Sequence, residues 1–263
     1  MKAKFSRKCY KKEGAKALKI LTFSHYKDVD EGRIKDSLAI VIDLLRATSV
    51  MIWAISNGAK KIVPVESIEE AKLLKSLNED VLLGGERGGV LIQGFDLDNS
   101  PLSYKKEIVF GRTIVMTTTN GTRALKKAAM AKRIFLGSFI NARKTAEYIF
   151  KEVLKDDIQK IAIVCAGTEE KFTLEDVLCA GYFVDIFKTY LESFEVDDLS
   201  LASYELYKKF ENDPHEILKY SYHYNRLKQL GFERDLEFCL KKDFADTICE
   251  YKNLVVEKVL VDV

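Results

Sequence analysis

The sequence has almost no charge imbalance: 42 Lys and Arg stand against 40 Asp and Glu, a formal net charge of +2 over 263 residues. No global field therefore favours nucleic acid or a membrane surface, and any anion site has to be built locally. It lacks a run of 18 apolar residues, which argues against a membrane-spanning helix. It also lacks a CxxC pair or a Cys/His cluster at zinc spacing; Cys9, Cys165, Cys179, Cys239 and Cys249 are odd in number and scattered. Such usage fits a reducing compartment, the cytoplasm. The three histidines, His25, His215 and His223, cluster with nothing and read as surface or packing residues. Internal repeats and Pro/Gly/Ser-rich linkers are absent too, so independent domains are not marked. The leader from Met1 to Lys19 carries eight Lys or Arg against one Glu. No apolar h-region follows it, which argues against a secretory signal. With only Phe5 and Tyr10 as aromatics, it reads as a solvated tail rather than a nucleic-acid arm.

What is present is enough apolar residue, 47%, for a sizeable core. Short β-branched runs alternate with helical stretches up to about residue 190, the pattern of a mostly parallel sheet with helices on both faces. The strands are expected at Leu18 to Phe23, Leu38 to Asp43, Lys61 to Val65, Asp80 to Leu83, Arg112 to Thr117, Arg133 to Leu136 and Lys160 to Cys165. Helices are expected near Thr48 to Asn57, Ile68 to Leu77, Thr122 to Ala131, Ala142 to Leu154 and Leu174 to Phe194. Residues 1–198 thus form an α/β sheet region. Residues 199–263 read as a mainly helical cap, with helices over Leu199 to Phe210 and over His215 to Leu230, a stop at Gly231, and another helix after it to Lys241. The alternating stretch Leu254 to Val263 reads as a terminal edge strand, and the tyrosine stripe between as packing rather than a ligand cage.

Ligands of open α/β sheets bind beyond the carboxyl ends of the strands, and those junctions are unusually polar here. Thr117-Thr-Thr-Asn-Gly-Thr-Arg123 places hydroxyls, an amide and a glycine turn before a helix, a composition suited to an anion. The plainer reading is an N-cap by Thr119 or Asn120. Gly84-Gly-Glu-Arg-Gly-Gly89 lets backbone approach a ligand beside one carboxylate and one guanidinium. Asp43 ends an apolar strand, where its carboxylate has to cap a helix, pair with Arg46 or bind a metal. Glu175 and Asp176 open the helix after the last strand. Asp43, Glu86 and Asp176 all fall at the same end of the expected sheet, a carboxylate set that suits Mg²⁺ and phosphate chemistry. Neither GxGxxG nor a Walker motif occurs, Cys165 has Lys171 where a Cys-x5-Arg enzyme needs arginine, and Leu45 breaks an Asp-x-Asp motif.

The strings Val41-Ile-Asp-Leu-Leu-Arg-Ala-Thr-Ser49, Gly84–Gly89, Gly94-Phe-Asp-Leu-Asp-Asn-Ser-Pro101, Thr117–Ala124 and Gly137-Ser-Phe-Ile-Asn-Ala142 together resemble those of the 2-phosphosulfolactate phosphatases. The likeness continues through Cys165-Ala-Gly167, Leu174-Glu-Asp176 and Cys179-Ala-Gly181. It implies Mg²⁺-dependent hydrolysis of (R)-2-phospho-3-sulfolactate to 3-sulfolactate and phosphate, a step of coenzyme M biosynthesis. On this reading Asp43, Glu86 and Asp176 hold the metal, and Glu175 activates or orients water. Asp43 as a covalent nucleophile is the rival route. The substrate would meet Arg46, Thr48, Gly85, Arg87, Asn99, Ser100, Thr118, Thr119, Asn120, Gly121, Arg123 and Asn141. The expected partner is a small anionic organic phosphate, with no nucleic acid or membrane involved and self-association left open. A non-catalytic anion-binding module, or a transferase or lyase on a related acid, are the other classes the residues allow.

Overall fold

The apolar run Leu38–Ile42 is buried at every position, as expected of a strand covered on both faces. In the computed structural model, which describes residues 17–191 and 194–260, this run is β2 of an 11-stranded sheet. The basic leader up to residue 16, with Cys9, lies outside the described residues. The strands are β1 (Leu18–Phe23), β2 (Leu38–Ile42), β3 (Lys61–Val65), β4 (Leu82–Arg87), β5 (Val90–Leu91), β6 (Thr113–Thr117), β7 (Arg133–Gly137), β8 (Lys160–Cys165), β9 (Phe194–Val196), β10 (Cys249–Lys252) and β11 (Val255–Lys258). The helices are α1 (Glu31–Ile34), α2 (Ala47–Ser56), α3 (Ile68–Leu77), α4 (Lys106–Val109), α5 (Gly121–Lys127), α6 (Ala142–Asp156), α7 (Leu174–Tyr190), α8 (Asp198–Phe210), α9 (His215–Leu218), α10 (Tyr222–Gln229) and α11 (Glu233–Cys239).

The alternation of the strands builds two large cores, and a third, smaller cluster gathers Val65, Leu83 and Val115 with Ala71 of α3. Ile40 and Ile42 pack with Ile149, Leu178 and Phe183 of α6 and α7, while Ala39 and Val41 pack with Val50, Met51 and Leu125 of α2 and α5. The chain is therefore α/β, with a mostly parallel sheet, helices around it and a C-terminal region rich in helix. Among the described residues no helix is long and apolar enough to cross a membrane.

Four expectations are corrected. The terminal stretch, of which residues 261–263 lie outside the described residues, is not an edge strand in its described part: β11 pairs with β3 and β10 with β7, both antiparallel, so the hairpin joins two parallel half-sheets in the middle of the sheet. Alternation identifies a strand but carries no information about its neighbours. The run Gly84–Arg87 is not a loop but the end of β4, and the turn falls at Gly88 and Gly89 before β5. A Cβ on Gly85 would lie 1.9 Å from the Thr117 carbonyl oxygen, so glycine serves strand approach there rather than a ligand. The helix beginning at Leu174 ends at Tyr190, and Phe194 opens the short strand β9 instead. Finally, the stretch from His215 to Leu230 is broken, because Ser221 accepts from Tyr224 N–H and starts a new helix, α10. Tyr207 and Tyr224 are buried in the core, whereas Tyr220 and Tyr222 are exposed.

Candidate active site

The loops after β2, β4, β6 and β8 meet beneath α10 around a cavity of about 120 Å³. Its wall includes Asp43 and Arg46, Glu86 and Gly89, Asn99, the run Thr118 to Asn120, Thr168 and Glu169, and His223 and Arg226.

Asp43 follows the last residue of β2 and is nearly buried. One oxygen, Oδ1, accepts from Ala47 N–H at 3.1 Å where α2 begins, which is the capping role. The other, Oδ2, has no hydrogen-bond partner among the described residues, and Arg46 does not pair with it. A Cβ on Gly121 would sit 2.8 Å from Oδ2, so glycine is what lets the loop after β6 lie against this carboxylate. Thr48 points away from the cavity, its single hydroxyl proton within reach of the Gly137 carbonyl at 2.8 Å and the Asp43 carbonyl at 3.0 Å, while its oxygen accepts from Asp43 N–H at 3.0 Å.

Glu86 ties two loops together. Its Oε1 accepts from Thr119 N–H at 2.9 Å and the Thr119 hydroxyl at 2.8 Å, and its Oε2 from Gly89 N–H at 2.7 Å. Of the roughly four acceptor directions of a carboxylate, one remains open. Thr118 accepts weakly from Thr122 N–H at 3.4 Å, and Asn120 donates to the Thr168 hydroxyl at 3.2 Å. Asn99 presents a buried Oδ1 without a hydrogen-bond partner.

Asp176 and Glu175 lie behind this wall. Asp176 accepts from Leu44 N–H at 2.8 Å and Gly167 N–H at 3.0 Å, bracing the ends of β2 and β8. Glu175 accepts from the Ser221 hydroxyl at 2.8 Å and leaves Oε1 buried and unpartnered. The expected trio of metal ligands is thus not assembled. Asp43 and Glu86 face one cavity, Asp176 faces backbone amides, and among the described residues no group of three His, Cys, Asp or Glu is arranged to hold a metal. Burial, then the charge of Asp176, raises the Asp43 pKa well above the carboxylate range. Burial, then Glu175, does the same to Asp176, and burial raises Glu175 to about 7.

The arginines divide differently from the expectation. Arg46 borders the cavity but is spent: it donates to Asp235 at 2.6 Å and to the Gly89 carbonyl at 2.8 Å, and lies 3.9 Å over the Phe232 ring. Arg87 turns away to the Glu66 carbonyl and the Thr117 hydroxyl at 3.0 and 2.8 Å, and Arg123 is exposed on α5, outside the cavity wall. Ser100 donates to Asp235 at 2.6 Å, and Asn141 caps its own turn through Ser138 N–H at 3.1 Å. Both are structural in this arrangement. His223, Arg226, Thr168 and Glu169 were not anticipated. Thr168 does follow a polar strand end, and His223 and Arg226 share a helix face at i, i+3, but nothing in the sequence lays that helix over the sheet. His223 donates from Nε2 to the Leu45 carbonyl at 2.8 Å, which leaves Nδ1 bare, and burial lowers its pKa, so the ring is neutral.

Comparison with known proteins bears on what this wall is for. The model of the 2-phosphosulpholactate phosphatase family matches residues 23–254. A probable 2-phosphosulfolactate phosphatase of Caldicellulosiruptor saccharolyticus is 76% identical over 242 residues, covering 92% of this chain and 100% of that one. Proteins of the same description from Caldanaerobacter subterraneus subsp. tengcongensis and Clostridium acetobutylicum are 48% and 41% identical, covering 89% and 86% of this chain and 96% and 94% of theirs. The matched span contains every element that contributes to the cavity, from β2 to α10, and the chain belongs to the 2-phosphosulfolactate phosphatase family.

Proposed function

We propose that the chain is a phosphomonoester hydrolase that releases phosphate from (R)-2-phospho-3-sulfolactate, with Mg²⁺ as cofactor. The observation that carries the reading is a single cavity shared by Asp43, with one unshared oxygen, the Thr118 hydroxyl and the second N–H of the Asn120 amide, while both Thr119 donors hold Glu86 in place beside them. A carboxylate facing anion donors is unfavourable for binding an anion unless a cation or an electrophilic phosphorus stands between them. The family match and the relatives' names support the substrate class.

The residues fit magnesium in one form and not in another. A three-carboxylate cage is not formed, but Mg²⁺ is commonly held by one or two carboxylates with water and substrate phosphate oxygens. Asp43 Oδ2 and the open direction of Glu86 would supply those two. Bound there, the ion would neutralise phosphoryl charge and lower the pKa of water. The chain's own part is positioning: Glu86 fixes the Thr119 and Gly89 loops, and Asp176 fixes the ends of β2 and β8. Sulfolactate as product suggests a place in coenzyme M biosynthesis, and the free buried thiols Cys165, Cys179, Cys239 and Cys249 suit the cytoplasm.

The test is phosphate release from phosphosulfolactate, 2-phospholactate and isopropyl phosphate, with and without Mg²⁺. Release from phosphosulfolactate that EDTA abolishes and Mg²⁺ restores is the expected result. Full turnover in metal-free buffer would remove the magnesium assignment, and no release from any ester would remove the hydrolase.

A further inference from the structure

Two guanidinium groups border the cavity, and the protein spends them very differently. Arg46 and Asp235 are 1% and 3% exposed, a buried pair whose rupture leaves an uncompensated charge. Arg226, on α10, is 34% exposed and pairs with a Glu169 that is 52% exposed, at 2.6 Å. Its second contact, to the Gly88 carbonyl, is long at 3.3 Å. Exposed ion pairs contribute little, so Arg226 can exchange Glu169 for another anion at small cost, whereas Arg46 cannot exchange Asp235. Glu169 is nonetheless placed and not merely adjacent. Its turn is closed by reciprocal backbone bonds between Thr168 and Lys171 of 2.9 Å, with Glu169 and Glu170 at φ of 49° and 65°, which side chains seldom adopt.

Resting on the phosphatase reading above, we infer that Arg226 receives a non-transferred acid group of the substrate, carboxylate or sulfonate, and that Glu169 is the counter-ion it displaces. A guanidinium fork matches either group with two parallel hydrogen bonds. Glu169 holds the fork aimed at the cavity in the free enzyme and repels anions that cannot displace it. Specificity for a polyanion therefore comes from the helical cap, while the sheet loops serve the phosphoryl group.

The experiment measures kcat and KM of wild type, R226M, R226K and E169Q on four esters: phosphosulfolactate, 2-phospholactate, 2-sulfoethyl phosphate and isopropyl phosphate. R226M should lower kcat/KM for phosphosulfolactate by roughly a hundredfold, mostly through KM, as expected for a lost hydrogen bond to a charged group. Its loss on isopropyl phosphate should be at least about tenfold smaller, and R226K should fall between R226M and wild type because it keeps the charge without the fork. Whichever of 2-phospholactate and 2-sulfoethyl phosphate suffers the larger loss identifies the group received. E169Q should lower KM for the acid-bearing esters, since the competitor is gone. Equal proportional losses on all four esters, or a raised KM in E169Q, would overturn the inference. If wild type cleaves none of them, the phosphatase reading fails by itself. Calorimetric titration with 3-sulfolactate then decides the Arg226 assignment: weaker binding to R226M sustains it, and equal binding overturns it.

Discussion

A single oxygen separates structure from chemistry at Asp43. Oδ1 holds Ala47 N–H and Oδ2 is free, so Asp43→Asn can keep the first contact while losing the ability to carry charge at the second. The expected outcome is a kcat lower by roughly a hundredfold or more, with a Tm unchanged or raised because one ionisable carboxyl leaves a crowded, buried cluster. Retained rate with early melting would make the capping contact the purpose of this residue. Glu175 gives a pH test that does not depend on activity. Burial raises its pKa to about 7, so its contribution to stability is complete below the ordinary glutamate range and is lost as pH rises through about 7. Wild type should therefore lose stability relative to Glu175→Gln between pH 5 and pH 8, by something of the order of 3 kcal/mol. The glutamine's own unpartnered amide costs the same at both pH values and cancels in the difference. Paired melts at the two pH values check this, and a pH-independent difference would mean that Glu175 is ionised throughout.

At the scale of elements, among the ion pairs of the described residues that link the cap to the sheet region, Arg46–Asp235 is the one that is fully buried. Arg46 leaves the start of α2 and Asp235 leaves α11, and between them they gather the Ser100 hydroxyl, the Gly89 carbonyl and the Phe232 ring. Arg46→Met should cost about 3–5 kcal/mol, because Asp235 is left buried and unpaired. The double variant Arg46→Met, Asp235→Leu should be no less stable than either single one, which denaturant titration of the three variants would measure. This pair also shows why the arginines misled the sequence reading. Arg46, Arg87 and Arg123 all sit in polar strand-end motifs, but a motif reports a position along the chain and not a direction. Arg87 is drawn off by Thr117 and Arg123 by solvent, while the accessible guanidinium comes from a cap helix more than a hundred residues away. Asp43, Glu86 and the Thr118–Asn120 loop were legible because strand ends in a parallel sheet necessarily share one side. His223 and Arg226 were not, since amphipathic periodicity tells which face of α10 is buried but not what lies under it.

The whole molecule depends on a closure that local pattern could not reveal. The central strands β1, β2, β3, β7 and β8 follow from composition, because double-sided burial demands apolar runs. The order of the sheet does not follow, since among the described residues the half-sheet β4-β6-β3 and the half-sheet β7-β2-β8-β1-β9 are joined by strand pairing only through the C-terminal hairpin β10–β11. Val256 of β11 is wholly buried opposite Ile62, and Tyr251 of β10 pairs with Ile134. A terminal edge strand would fray, and its amides would exchange through local opening that costs little. A central hairpin cannot open without separating the half-sheets, and so its amides should exchange only when the whole chain unfolds. Hydrogen exchange of the native protein distinguishes the two. The expected result is that Tyr251 and Val256 amides show the same opening free energy as Ile40 in β2, and that a mild denaturant lowers all three with the same slope. Protection at the hairpin about a hundredfold weaker than at β2 would mean that the half-sheets stand without it. Val256→Asp tests the same joint by force. A carboxylate placed between β3 and β10, at the wholly buried position of Val256 in the apolar cluster with Ile62, Ile134 and Tyr251, is stripped of water, so the variant should lose its single cooperative transition rather than merely shift it.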